Sequence, residues 1–205
     1  MPKLKFYTLW IAIILVGIFI LQFYIPNFTD FFILSKSSWI QPWRFATSIF
    51  LHGSFKHLIS NLFVLIFFGL ILEKLVGSNK FLGIYLVSGI CANLIAINFY
   101  PSSLGSSGAI MGVIGALTII RPTMNVWAFG MILPMSIATI FWVLIDALGI
   151  FIPSNIGHIA HLSGILFGAI FGVVFRLNHH KVKKKHVIEV PEHILRRWET
   201  IYIKN

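Results

Sequence analysis

The chain has 205 residues, of which 58% are hydrophobic and 11% are charged, and its net charge is +10. A soluble domain of this size could not hide so much apolar surface, so the composition excludes that class and indicates a compact membrane bundle. The single cysteine, Cys91, lies in an apolar run, which excludes a disulfide framework and a cysteine metal site. Basic residues concentrate in the tail from Arg176 to Lys204 without an aromatic stacking platform, so we expect no nucleic-acid partner.

Long uncharged runs predict an all-α membrane bundle of six transmembrane helices. The first run is longer than the core of a signal peptide and lacks a clear cleavage site, so we interpret it as a retained helix. Residues 27–56 are mixed and aromatic, which indicates an irregular loop in or on the membrane interface. Pro134 lies in the fifth run, where we expect a kink. The predicted helices cover residues 8–25, 57–74, 81–99, 107–120, 126–152 and 158–175, in a membrane domain over 1–176 that precedes a basic tail over 177–205.

Basic residues are unevenly distributed between the two ends of these helices. With the N-terminus inside the cell, the cytoplasmic side receives most of them, and the opposite side receives only Lys36, Arg44 and Lys56. This asymmetry predicts that both termini are cytoplasmic. The tail has two interpretations, namely an amphipathic helix opening at Pro191 or a solvated, disordered segment.

The predicted fourth helix is too short to cross a membrane. From Ser107 to Ile120 there are about fourteen residues, or roughly 21 Å of helix, whereas the hydrocarbon core is roughly 30 Å thick. If Arg121 lies at the cytoplasmic boundary, the helix starts below the opposite surface. Backbone without helical structure is tolerated at that depth only when it is buried or lines a water-filled cavity. We therefore expect Ser107 to lie beside water, among free backbone N–H donors that favour developing negative charge.

The sixth helix carries a histidine on a stripe of small residues. His161, Gly164, Gly168 and Gly172 recur at three- and four-residue spacing, and the fourth helix has its own stripe at Gly108, Gly112 and Ala116. Small residues let membrane helices approach closely, so packing of the two stripes would bring His161 near Ser107 as a general base. His158 is the rival base, but it lacks the register of the glycine stripe. Interhelical hydrogen bonding by both histidines is the structural alternative.

The second helix adds a pair of polar residues on one face. His57 and Asn61 lie four residues apart, and both can donate hydrogen bonds. Such a pair alone is commonly a link between helices. Beside a serine and a histidine at matching depth, it indicates an oxyanion hole.

Together these residues resemble the rhomboid family of intramembrane serine proteases, over about Trp43 to Gly172. Several motifs in the family's order carry the resemblance. They are Gly105-Ser106-Ser107-Gly108 for the G-x-S-G nucleophile motif, Ala160-His161 with Gly164 and Gly168 for A-H-x-x-G-x-x-x-G, His57 and Asn61 for H-x-x-x-N, His52 for an upstream histidine, Trp43-Arg44 for the W-R of the first loop, and Glu73 for a structural glutamate.

The resemblance implies a Ser-His dyad without a third carboxylate. Ser107 would attack the scissile carbonyl of a single-span membrane protein, His161 would move the proton, and the backbone N–H of Ser107 with His57 and Asn61 would hold the oxyanion. No metal or organic cofactor is implied, and the six-helix form indicates a prokaryotic cell membrane. Asp146 fits no family motif. Because it lies on another helix, we assign it no triad role and expect a hydrogen-bonded or interfacial carboxylate near the helix end.

Two other classes of function stay open at this point. One is a catalytically inactive relative that binds membrane proteins. The other is a small transporter or proton path that uses the polar residues His52, His57, His158, His161 and Asp146.

Overall fold

A computed structural model of the protein describes residues 4–154, 156–185 and 192–202. Its long helices are α1 (Tyr7–Tyr24), α2 (Phe55–Val76), α3 (Ser78–Ala96), α4 (Ser107–Ile120), α5 (Met135–Gly149), α6 (His158–Lys185) and α7 (Glu192–Tyr202). Residues 27–54 form only short helical turns and the strand β1 (Leu34–Ser35), which pairs in antiparallel fashion with β2 (Ser102–Ser103) just before α4. The loop ahead of α2 and the loop ahead of α4 are thus joined.

Helix length and composition define a multi-pass integral membrane protein. Among the described residues, α1, α2, α3 and the part of α6 over residues 158–178 are long and apolar enough to cross a membrane, and α4 and α5 are shorter apolar helices. Large apolar side chains such as Trp10, Phe63 and Leu166 are exposed on the outer faces of the bundle. Such faces are stable against lipid tails and unfavourable in water.

Helix α4 is the central helix of the bundle. It contacts α2, α3 and α5, and its glycines also lie against the backbone of α6. Residues on all of its faces are buried, including Ile110, Val113, Ile114 and Leu117. A helix that is apolar all round is stable only when other elements enclose it, so α4 owes its place to packing.

The small-residue stripes of α4 and α6 pack against each other, which confirms the predicted pairing. A Cβ atom added at Gly164 would overlap the carbonyl oxygen of Gly108, and one added at Gly168 would overlap that of Gly112. About one turn further along α6, a Cβ atom on Gly172 would lie 2.8 Å from the carbonyl oxygen of Ala116. The two backbones touch because none of these α6 positions carries a side chain.

The predicted fifth helix over 126–152 is wrong in its first part. Residues Asn125–Ala128 (β3) and Met131–Pro134 (β4) form an antiparallel hairpin instead, and α5 begins only at Met135. Phe129 and Gly130 make the turn with φ of 54° and 79°, the left-handed conformation that two-residue hairpin turns require. Pro134 immediately precedes the helix, so the expected kink is absent from α5. Hydropathy failed here because a short apolar strand and an apolar helix segment have the same composition.

The remaining helices differ from prediction mainly at their ends. Helix α4 has the predicted bounds, whereas α2 begins earlier, at Phe55, where the Ser54 hydroxyl accepts a hydrogen bond from the His57 N–H. Helix α6 continues beyond the predicted end at residue 175 to Lys185. Two compact units are distinguished, Met1–Phe175 and Arg176–Asn205. In the second unit the tail is helical over Glu192–Tyr202, and the predicted opening residue Pro191 lies outside the described residues.

The buried carboxylate of Glu73 attaches the start of α1 to the end of α2. Its oxygens accept hydrogen bonds from the backbone N–H of Tyr7 and Thr8 at 2.8 and 2.9 Å, and from the hydroxyls of Thr8 and Ser78 at 2.7 and 2.6 Å. The first N–H groups of a helix have no partner within the helix, so an acceptor at this point satisfies them. Glu73 therefore has a structural role at the junction of α1, α2 and α3.

Candidate active site

His52 is the centre of a buried polar network beside the start of α4. Its Nε2 atom lies 3.0 Å from the amide nitrogen of Asn61 and 3.3 Å from the hydroxyl of Ser106, which directly precedes Ser107. Gln22 of α1 accepts a hydrogen bond from the His52 N–H at 2.9 Å. His52 is only 2% exposed. The upstream histidine of the sequence pattern thus lies at the core of the site.

The protonation of His52 determines which way these hydrogen bonds run. Burial and repulsion from a charge on His57 lower the pKa of the His52 ring to about 4, against the opposing effect of the Phe50 carbonyl. The ring is therefore neutral near pH 7, and we assign Nε2 as the acceptor for the Asn61 amide, the nearer of its two partners. An amide has two N–H donors, so the second N–H of Asn61 is left to bind another acceptor.

The ring of His57 covers the turn that leads into α4. A Cβ atom added at Gly105 would lie 2.7 Å from Cε1 of His57, so only glycine fits beneath the ring. Gly105 also has φ of 125°, a conformation that residues with a side chain rarely adopt. The rings of His57 and His52 meet edge to face, with centroids 5.1 Å apart. The first member of the predicted oxyanion pair thus faces the loop before Ser107.

The loop between α1 and α2 anchors this turn. The Gly105 N–H donates to the Ser48 carbonyl at 2.9 Å, and the Ser48 hydroxyl donates to the Arg44 carbonyl at 2.6 Å. The Asn93 amide of α3 donates to the Ser48 hydroxyl at 3.0 Å and to the Phe45 carbonyl at 2.8 Å. Main-chain atoms ahead of Ser107 are therefore fixed from two directions.

The Trp43-Arg44 pair stabilises the same loop. Arg44 is buried, and its Nη1 donates to the carbonyls of Asp30 and Ile33 at 2.8 and 2.9 Å. Trp43 is half-exposed and stacks on Phe31 with a centroid distance of 5.9 Å. Five guanidinium donors suit Arg to hold several carbonyls at once, which a lysine could not do in this geometry.

Ser107 and His161 are chain neighbours of Gly108 and Ala160, which lie where α4 packs against α6. Gly108 follows Ser107, Ala160 precedes His161, and a Cβ atom added at Gly108 would lie 3.5 Å from the Ala160 carbonyl oxygen. Ser107 is the first residue of α4 and is partly exposed. Among the residues that the structure describes, no hydrogen bond joins the side chains of Ser107 and His161. Such bonds are often long in enzymes without substrate and shorten in the reacting complex.

Asp146 lies against His161, which the sequence interpretation missed. Its Oδ1 atom is 3.0 Å from Nδ1 of His161 and 2.7 Å from Nδ1 of His158, and the residue is 4% exposed. The expectation of a hydrogen-bonded carboxylate near the helix end is confirmed. The reason for denying it a triad position, its place on another helix, is wrong because α5 brings it to α6. A carboxylate within an apolar run was the available signal, since such groups are costly in membranes without a partner.

In His158, unlike His161, the Nε2 atom also has a hydrogen-bond partner. Its Nε2 lies 3.1 Å from the Ser154 hydroxyl, so both nitrogens of His158 have partners. Donor atoms of Asp146, His158 and His161 lie within 4.8 Å of one another, and together they have the ligand types of a metal site.

These features define a class, a helical membrane protein with a serine at the start of one helix, a histidine on the helix packed against it, and a buried polar network beside the serine. A family model for the rhomboid domain matches residues 40–178, more than half of the chain. The protein belongs to the rhomboid family.

Curated relatives agree with this membership. The chain is 34% identical to "Rhomboid protease GluP" of Bacillus subtilis (strain 168) over 138 residues, which cover 66% of this chain and 26% of that protein. It is 30% identical to "RHOMBOID-like protein 1" of Arabidopsis thaliana over 137 residues, covering 66% and 35%. It is also 36% identical to "Rhomboid-like protease 3" of Toxoplasma gondii over 96 residues, covering 46% and 33%. The chain thus spans less than half the length of these relatives.

Proposed function

We propose that this protein is an intramembrane serine endopeptidase that cleaves single-span transmembrane proteins with Ser107 as nucleophile and His161 as general base. The observation that carries the proposal is the direct backbone contact of α4 with α6 beside these two residues. A Cβ atom added at Gly164 would overlap the carbonyl oxygen of Gly108, the residue after Ser107, so the two backbones meet there with no side chain between them. Two of the relatives are named as proteases.

The proposed membrane arrangement follows from helix length and charge. Six helices, α1 to α6, make up the membrane domain, and α4 starts below the outer surface because its 14 residues are too few to cross. Both termini lie in the cytoplasm, because this orientation puts most of the basic residues, among them Lys74, Lys80 and Arg121, on the cytoplasmic side. A prokaryotic cell membrane fits the six-helix form.

In the proposed reaction, the Ser107 hydroxyl attacks the scissile carbonyl while His161 Nε2 takes its proton. The histidine then gives this proton to the leaving amine, which leaves an acyl-enzyme on Ser107 that water hydrolyses by the same steps. His158 is the poorer base because both of its ring nitrogens already have hydrogen-bond partners. Of the described contacts of His161, only Nδ1 is occupied, which leaves Nε2 for the serine.

Negative charge on the carbonyl oxygen is met by donors at the start of α4. The backbone N–H of Ser107 is among the first of its helix, and such groups have no partner within the helix. The second N–H of Asn61 and the ring of His57 complete the oxyanion hole, with His52 holding the Asn61 amide in place. Donors fixed before the reaction need no reorganisation, which is why they lower the barrier.

A fluorophosphonate probe tests the nucleophile. We expect covalent labelling at Ser107 that is abolished in Ser107→Ala and strongly reduced in His161→Ala. Ser102→Ala is the matched control, because Ser102 lies in the same segment but on an exposed strand, so its labelling should equal that of the wild type. Labelling that persists in Ser107→Ala would refute the assigned nucleophile. A wild-type protein that neither labels nor cleaves would instead indicate a catalytically inactive relative.

The oxyanion hole is tested by the cleavage rate of a transmembrane substrate. Asn61→Ala should lower kcat by roughly 10²- to 10³-fold, the usual effect of removing one such donor. Unchanged turnover would remove Asn61 from the site.

A further inference from the structure

One carboxylate oxygen of Asp146 lies within hydrogen-bond distance of two imidazole nitrogens. Oδ1 lies 2.7 Å from Nδ1 of His158 and 3.0 Å from Nδ1 of His161, and the side chain of Asp146 is 6% exposed. A carboxylate buried to this degree among apolar helices is unfavourable unless its charge is bound by donors. The two histidines supply those donors.

This contact determines where the proton of His161 lies. An ionised carboxylate can only accept hydrogen bonds, so Nδ1 of His161 must carry the proton. Nε2 is then unprotonated, and this is the form in which an imidazole can take a proton from a serine. If Nδ1 were the free nitrogen, Nε2 would carry a proton and could not act as the base.

We propose that Asp146 is a positioning residue for His161, the third member of an Asp146–His161–Ser107 triad. The inference rests on the proposed protease function. Asp146 holds the required tautomer and ring orientation, and its negative charge stabilises the imidazolium formed when His161 takes the serine proton. That stabilisation is needed because the ring of His158 lies beside that of His161, with centroids 6.3 Å apart, and a positive charge on it opposes a second charge.

Hydrogen bonding explains this cluster better than metal coordination. Two ligand atoms that each bind the same tetrahedral zinc ion at 2.0–2.1 Å are about 3.3 Å apart. Here the oxygen–nitrogen separations of 2.7 and 3.0 Å are hydrogen-bond lengths. His158 is hydrogen-bonded to the same oxygen as His161, so Asp146 of α5 holds two side chains near the start of α6.

Asp146→Asn tests the proposal with little change in shape. The amide can donate to Nδ1 and so select the wrong tautomer, and we expect kcat to fall roughly ten- to hundredfold, as the loss of a charge-assisted hydrogen bond predicts. KM should change little, because the carboxylate bonds imidazoles rather than substrate. Thr139→Val is the matched control, since it removes a buried interhelical bond of the same helix, 2.6 Å to Thr118, and should leave kcat close to that of the wild type.

A double-mutant cycle separates positioning from a general effect on the fold. In a His161→Ala background, Asp146→Asn should cause no further loss of rate, because the residue on which it acts is gone. An equal loss in both backgrounds would overturn the proposal. So would a wild-type-like kcat in Asp146→Asn.

Nitrogen-15 NMR of histidine-labelled protein provides a readout that does not depend on activity. The His161 signals, identified by their absence in His161→Ala, should show Nδ1 protonated in the wild type and Nε2 protonated in Asp146→Asn. Nδ1 of His161 found unprotonated in the wild type would contradict the inference. If the wild type neither labels at Ser107 nor cleaves, the protease proposal fails. If it cleaves and Asp146→Asn cleaves equally fast, only the role of Asp146 fails.

Discussion

Adding one methyl group at Gly168 should separate the two helices that carry the site. Gly168 lies seven residues after His161, roughly 10.5 Å along α6, and it touches none of the reacting groups. In Gly168→Ala the new Cβ would overlap the carbonyl oxygen of Gly112 and lie 2.5 Å from the carbonyl carbon of that residue and 2.7 Å from its Cα. All three atoms belong to the α4 backbone, so no side-chain rotation can relieve the overlap.

The size of the effect follows from these distances. Non-bonded carbons need about 3.5 Å, so α6 must move away from α4 by about 1 Å. A misplacement of about 1 Å between reacting groups costs roughly 100-fold in rate. Overpacking of this kind also lowers the free energy of unfolding by about 1–3 kcal/mol.

The assay is the initial rate of transmembrane-substrate cleavage, paired with thermal unfolding in the same detergent. Gly83→Ala is the matched control because Gly83 lies in α3 and its added Cβ would meet no atom within 4 Å. This variant should keep full activity and gain about 0.5–1 kcal/mol of stability, since alanine favours helix more than glycine does. If Gly168→Ala cleaves as fast as Gly83→Ala, contact between the stripes does not determine the geometry of the site.

Three further predictions concern residues around the site and the bundle. Glu73→Gln puts an amide donor against the backbone N–H of either Tyr7 or Thr8, so the free energy of unfolding in mixed micelles should fall by about 1–3 kcal/mol; an unchanged free energy would contradict the capping role. The pKa of His52 is about 4 when folded and 6.5 when unfolded, so its contribution to stability is complete above pH 6.5 and decreases as the pH falls towards 4. Between pH 6.5 and pH 4 the free energy of unfolding should fall by about 3 kcal/mol in the wild type and by much less in His52→Gln. Unfolding measured at each pH tests this, and an equal pH dependence of the two proteins would refute the prediction. Gly105→Ala should displace the His57 ring, because the new Cβ would lie 2.7 Å from its Cε1 and alanine rarely adopts the φ of 125° found in this turn. We expect the rate of fluorophosphonate labelling to fall at least tenfold.

Local sequence patterns were sufficient for the class of protein and for the facing stripes. In a membrane each helix must satisfy its own backbone hydrogen bonds, so apolar length and composition predict where α1, α2, α3 and α6 lie. The spacing of Gly164 and Gly168 predicts a close helix contact because small residues are the condition for it. Ser107 begins its helix in both prediction and structure. These properties depend on residues within a few turns of one another.

Hydropathy could not distinguish the β3–β4 hairpin from the start of a helix. Residues 125–134 are as apolar as a membrane span, and the turn at Phe129 and Gly130 carries only one glycine as a signal. The strands form because they pair with each other and pack beside α5, which is a property of the assembled chain. Composition alone therefore extended the helix too far.

Only the tertiary structure decided which polar side chains meet. His52 and Ser106 are separated by 54 residues, Thr8 and Glu73 by 65, and Asp146 reaches His161 from a different helix. Each contact depends on how two separate segments of the chain are rotated and displaced relative to each other. The helical period of a sequence contains neither quantity. Sequence patterns thus determined the helices and the groups they carry, and packing around α4 determined which of those groups could act together.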